Sequence, residues 1–163
     1  MKKVRLTLEE MRNNRRITPS QAAAFIGITV SSYRDLELHN DEPWSLCIMG
    51  LMRLCLLYET PPETLLPEDA FLDGKKKVQF VEDQYGTLTI ASTIRGYWED
   101  VSSITQEINW EEDSINLWIS DEVVIGTMPL LALNDLCRYL NISILDVLEG
   151  FWAALGRLPV TGP

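Results

Sequence analysis

The chain opens on short apolar patterns with helical spacing. Leu6, Leu8 and Met11 form one apolar face over residues 6–14, and Thr7 with Glu10 three residues on has the spacing of a capping box. Thr18-Pro19-Ser20 opens a second helix through Ile26. Thr18 can cap it, and Pro19 suits the first helical position, where an N–H would have no partner anyway. Ala22, Ala23, Phe25 and Ile26 supply small and apolar packing. Gly27 stops this helix, because the residue after a helix often needs positive φ. Thr29 can cap a third helix over 30–38, and Asn40, Asp41 and Pro43 mark a turn. A fourth helix is predicted from Ser45 through Tyr58, with Leu46, Met49, Leu51, Leu54, Cys55 and Tyr58 as core candidates. Pro61-Pro62 breaks it, and Glu63–Leu66 makes one last turn.

Two helices joined by a short turn centred on glycine form the helix-turn-helix pattern. The first helix must be small where the second crosses it, and Ala22, Ala23 and Ala24 are small. The second must show short polar side chains at its start, since that end enters the major groove of DNA. Thr29, Ser31, Ser32, Tyr33 and Arg34 meet that demand. The stretch Ile17 to Glu37 resembles the core of the Cro/C1-type (Xre) helix-turn-helix family, and Leu51–Leu66 resembles that family's closing helices. The resemblance covers about residues 4–67. It implies a lambda-repressor-like DNA-binding domain, dimeric as in most members. It also implies that Gln21 touches a phosphate or braces a neighbour, while Thr29, Ser31, Ser32 and Arg34 face the groove. Where many members carry Glu-x-Gly and a basic loop after the recognition helix, this chain has Leu38-His39-Asn40-Asp41-Glu42-Pro43, whose carboxylates repel phosphate. Arg12, Arg15 and Arg16 are the cations expected near the DNA backbone.

Beyond residue 67 the apolar pattern returns. At an offset of 82 residues, Leu51, Leu54 and Cys55 fall on Leu133, Leu136 and Cys137, Ile48 falls on Leu130, and Leu66 on Leu148. Ile28 falls on Trp110, Leu36 on Trp118, and Leu6-Thr7-Leu8 on Leu88-Thr89-Ile90. Two copies of one fold would keep apolar positions while surface positions drift; chance coincidence is the competing reading. Pro67–Gly74 reads as linker. Val78–Glu82 and Thr87–Ile90 flank Asp83-Gln84-Tyr85-Gly86 as in a hairpin, whereas the repeat makes residues 88–94 a helix. The fold expected is therefore mainly all-α: a helix-turn-helix domain over 1–67, a linker or hairpin over 68–87, and an acidic second helical domain over 88–163.

Charge separates the two halves. The 163 residues carry a net −10, but residues 1–40 hold seven basic and four acidic groups, a balance of +3, and the other 123 hold seven and 20, a balance of −13. No lysine or arginine occurs between Gly96 and Leu136, and the counterpart of the recognition helix begins Glu111-Glu112-Asp113. That half is expected to bind protein, either a second copy in a homodimer or another partner, with Trp98, Trp110, Trp118, Phe151 and Trp152 as candidates for core or interface. Cys47, Cys55 and Cys137 sit among apolar residues without metal-ligand spacing and read as reduced core thiols of a cytoplasmic protein. The sole histidine, His39, has no partner for a catalytic or metal site, and no phosphate-binding loop is present. No enzyme, metal, cofactor or membrane span is expected. The leading function is a transcriptional regulator contacting double-stranded DNA through Arg15, Arg16, Gln21, Thr29, Ser31, Ser32, Tyr33 and Arg34. The alternative is a protein-interaction module, such as an inhibitor, immunity protein or adaptor, that keeps the fold without binding DNA.

Overall fold

The computed structural model describes residues 6–39, 43–66, 69–82, 88–96, 110–120 and 122–157, apart from the side chains of 88–90, 112, 122–123 and 151–157. The protein is mainly helical. In the first half, α1 (Leu8–Asn14), α2 (Pro19–Ile26), α3 (Val30–Leu38), a 3-10 turn (Pro43–Ser45), α4 (Ile48–Leu57) and α5 (Pro62–Leu65) follow one another. The caps are those the local sequence predicts. Thr7 and Glu10 close a capping box on α1, and Thr18 and Gln21 close one on α2. Gly27 ends α2 at φ 86°, and Thr29 accepts from the Ser32 N–H to start α3. A two-stranded antiparallel ladder comes next, β1 (Val81–Glu82) with β2 (Leu88–Thr89). It leads into α6 (Ile90–Gly96), α7 (Glu112–Trp118), α8 (Glu122–Ile125), α9 (Leu130–Leu140) and α10 (Ile144–Arg157). The hairpin and the helix expected of residues 88–94 thus share that stretch: pairing ends at Thr89 and α6 begins at Ile90.

Helices α6, α7, α9 and α10 begin 82 residues after α1, α3, α4 and α5 respectively. Finer features repeat at the same interval. Glu59 after α4 and Asn141 after α9 both take positive φ, 47° and 60°. The Thr60 N–H donates to the Cys55 carbonyl and the Ile142 N–H to the Cys137 carbonyl, each at 3.0 Å. Leu51, Leu54 and Cys55 are buried, as are Leu133, Leu136 and Cys137. One hydrophobic core runs through both halves.

The halves meet where α4 and α9 begin. The Ile48 N–H donates to the Met128 carbonyl at 3.0 Å, and the Leu130 N–H donates to the Leu46 carbonyl at 2.9 Å. Cys47 and Pro129 bridge antiparallel between them. A shift of 82 residues exchanges these two bonds with each other, the signature of a self-complementary, two-fold-like contact. This contact corrects the expected start of the fourth helix. Cys47 is extended and bridges Pro129 of the second half, so α4 starts at Ile48 rather than Ser45, capped by the Cys47 thiol.

Residues 69–82 run along the second half rather than between the halves as a free tether. Phe71 donates its N–H to the buried Asn134 side chain at 2.8 Å and accepts from Ile144 at 3.0 Å. Lys76 donates to the Asn141 carbonyl. Gly74 lies so close to this strap's partner that a Cβ would sit 2.3 Å from the Ile142–Ser143 backbone. Residues 40–42, residues 97–109, which the 82-residue interval pairs with α2, and the side chains of Trp98, Phe151 and Trp152 lie outside the described residues. No helix among the described residues is long and apolar enough to cross a membrane.

Candidate nucleic-acid interface

Helix α3 is presented by the turn that precedes it. Ala22 and Ala23 are buried on α2, and that helix packs against both α3 and α4. Gly27 then reverses the chain in a left-handed conformation that costs a residue with a Cβ about 1–2 kcal/mol. The amides of Gly27 and Ile28 both donate to the Ala23 carbonyl. Thr29, Ser31, Ser32 and Arg34 consequently share an exposed surface at the start and middle of α3. Thr29 and Ser32 spend their hydroxyls on each other, at 2.9 Å, as part of the cap. Arg34 is exposed and makes no hydrogen bond or ion pair with the described residues; Asp35 is exposed next to it. Gln21 is exposed, with its side-chain oxygen held by the Thr18 N–H at 2.8 Å.

Tyr33 does not join this surface. It is fully buried, and its hydroxyl shares a short hydrogen bond with that of Tyr58. Burial first, and then that bond, raises the Tyr33 pKa far above the ordinary phenol value. Position 33 is one of two core anchors of α3, the other being Leu36, and three residues separate them as the helical period requires. The expectation that Tyr33 contacts DNA is corrected on that ground.

The cations near α1 behave differently from one another. Arg12 is largely enclosed, with 13% of its side chain exposed, and makes a forked ion pair with Glu37 of α3 while also donating to the Ile17 carbonyl. Arg15 turns toward the end of α4, where it donates to the Tyr58 carbonyl at 3.2 Å and to Glu59 at 3.0 Å. Arg16, exposed at φ 56°, stays with neither. Among the described residues, the cations next to α3 that remain unneutralised are thus Arg16, Arg34 and one that sequence reasoning passed over, Arg53. It projects from α4, where the apolar pattern pointed to core, and its guanidinium reaches the Ile26 carbonyl at the α2–α3 turn, 3.4 Å away.

In the second half the helix equivalent to α3 is α7. At the positions of Thr29 and Ser31 it has Glu111 and Asp113, both exposed, and at that of Arg34 it has Asn116. Ile115 stands buried where the first half has Tyr33. Trp110 precedes α7, donates its indole N–H to Asp135 at 2.8 Å, and meets Trp118 edge to face at 5.9 Å. Compared with protein-family models, curated proteins and solved structures, the chain matches none.

Proposed function

We propose that this chain is a DNA-binding transcriptional regulator whose first half is a Cro/C1-type, lambda-repressor-like helix-turn-helix domain, with α3 as the recognition helix. The observation that carries this reading is the uncovered polar face of α3, with Thr29, Ser31, Ser32 and Arg34 exposed behind the Gly27 turn. Short polar side chains and one arginine at the start of a protruding helix suit base edges in the major groove. Arg16 and Gln21 are assigned to the phosphate backbone, with Arg15 joining them once released from Glu59. The second half is read as a degenerate copy of the same domain. Its α7 shows carboxylates where DNA would lie, so its proposed task is protein–protein contact. One chain then offers one DNA-compatible helix, and a two-fold operator calls for a homodimer joined through the acidic halves.

A binding titration against DNA selected from random sequence tests this. Arg34→Ala is expected to weaken binding by about 1–3 kcal/mol and to relax preference at one base position. Arg16→Ala should weaken all sequences alike and flatten the salt dependence. If the wild-type chain retains no DNA at ~50 mM salt, the regulator reading fails. The rival, a protein-interaction module that keeps the fold, then takes its place. One observation already favours that rival: Glu37 and Glu59 neutralise two of the cations expected at the backbone.

A further inference from the structure

A cavity of about 500 Å³ opens beside the α2–α3 turn, between the start of α4 and the Gly126-Thr127 segment of the second half. Its size falls within the range of small-molecule sites, which favour junctions between packed units. Its described lining is mostly apolar, and Arg53 is the one charged residue there. In a chain of net charge −10, a cavity whose described wall holds a guanidinium and no carboxylate selects an anion. Arg53 has spent one nitrogen on the Ile26 carbonyl and keeps further donors in the planar fork that matches a carboxylate.

The second half shows what such a place can hold. Shifted by 82 residues, the lining residues Ile28 and Arg53 become Trp110 and Asp135. There the Trp110 indole, partly buried against the core, is anchored by its N–H to Asp135 at 2.8 Å. Gly50 and Gly126, which also line the cavity, become Ala132 and, shifted back, Trp44. The cavity therefore has an isoleucine and two glycines at the positions where its counterpart carries two tryptophans and an alanine. It also reverses the sign of the anchor, from a carboxylate that accepts an N–H to a guanidinium that donates.

We propose that this cavity binds a small aromatic carboxylic acid, its ring lying between Ile28 and Gly126 and its carboxylate on Arg53. The occupant touches the turn that presents α3 and both halves of the chain at once. It binds in its own right, whether or not α3 contacts DNA.

Calorimetric titration of the full chain with indole-3-acetate and benzoate, and with the neutral indole-3-ethanol, tests the assignment. At least one acid should bind at least about tenfold tighter than the alcohol, the worth of a charge-assisted bond. Arg53→Met, at an exposed position, should abolish that preference. The I28W/R53D double variant imports the Trp110–Asp135 pair and should lose binding while keeping the helical circular dichroism of the parent. Cys47 lines the cavity and is half-exposed, whereas Cys55 and Cys137 are buried, so bound acid should slow alkylation of one thiol. The assignment is overturned if neither acid binds at low millimolar concentration, if acid and alcohol bind alike, or if Arg53→Met leaves the preference intact. Should the double variant fail to fold, Arg53→Met and the neutral alcohol still decide.

Discussion

Two regions with the same backbone plan bury different chemistry. In the first half, α1 is tied to α3 by the Arg12–Glu37 ion pair, beside the hydrogen-bonded hydroxyls of Tyr33 and Tyr58. At the four equivalent positions the second half has Ile94, Ile119, Ile115 and Leu140, all buried. The same helices thus assemble around a polar cluster or around aliphatic side chains. What they share is the apolar set on the long central helices, Leu51, Leu54 and Cys55 on α4 and Leu133, Leu136 and Cys137 on α9. The frame follows from that set. The polar cluster is a replaceable addition, since a buried ion pair stabilises little beyond a well-packed apolar pair of similar volume.

The shared set offers the largest way to break the comparison. Leu51→Ala and Leu133→Ala should each cost about 2–5 kcal/mol, and urea unfolding of both variants should remain a single transition because one core joins the halves. A separate transition for either half would show that the common core does not act as one unit. The ion pair comes next. Arg12→Ile alone should cost about 3 kcal/mol, because Glu37 is left enclosed without its partner. Adding Glu37→Ile copies the second half and should restore the parent's stability or exceed it. If the double variant stays as unstable as the single one, the polar cluster is not replaceable and the two frames are not equivalent.

The buried thiols sharpen the comparison by titration. Burial pushes the Cys55 thiol up to about 12 and raises that of its counterpart Cys137 as well. In the unfolded chain a thiol ionises near pH 8.5. The folded state therefore holds more protons above that pH. Stability is complete below it and falls as pH rises toward the folded values, by about 1.4 kcal/mol per pH unit per thiol. Denaturation midpoints measured from pH 8 to 10.5 should decline with about equal contributions from Cys55 and Cys137. Cys55→Ala and Cys137→Ala should each flatten the decline by a similar amount. The smallest effect lies at the two equivalent positive-φ residues that follow α4 and α9. Glu59→Gly should stabilise by about 0.5–1 kcal/mol by relieving a left-handed residue. Asn141→Gly should gain nothing, because asparagine tolerates that conformation and its side chain holds the Lys75 N–H at 3.2 Å. Thermal melts of the two variants check this pair.

Much of the frame was legible because its signals are local. A threonine followed three residues later by Glu or Gln satisfies its own helix start, whatever surrounds it, and α1 and α2 begin where Thr7 and Thr18 say they should. Gly27 ends α2 for a reason contained in one residue. The 82-residue interval could be seen in apolar positions alone, and the observed helix starts recur at that same interval. The candidate site was less legible. Seven of its eight predicted residues are exposed, but Tyr33 is an anchor, and its aromatic ring already hinted at burial among the more polar Ser31, Ser32 and Arg34. Arg53 carried no signal, since a single cation on an apolar helix reads as a surface residue of no account.

Caps, breaks, helix lengths and the charge contrast between the halves are properties of neighbouring residues, and the chain carries them before it folds. Which cations stay available is a different kind of property. Arg12 and Glu37 are 25 residues apart and Arg15 and Glu59 are 44 apart, and no local rule joins them. The same holds for the segment around Cys47. The Leu46 carbonyl and the Ile48 amide find partners 82 residues or so away at Leu130 and Met128, and that pairing moved the start of α4 to Ile48. Only tertiary packing brings such groups within bonding distance, because backbone polar groups that become buried must be satisfied wherever a partner lies in space. The cavity beside Arg53 belongs with them: its walls come from α2, α4 and the second half, and no one segment contains it.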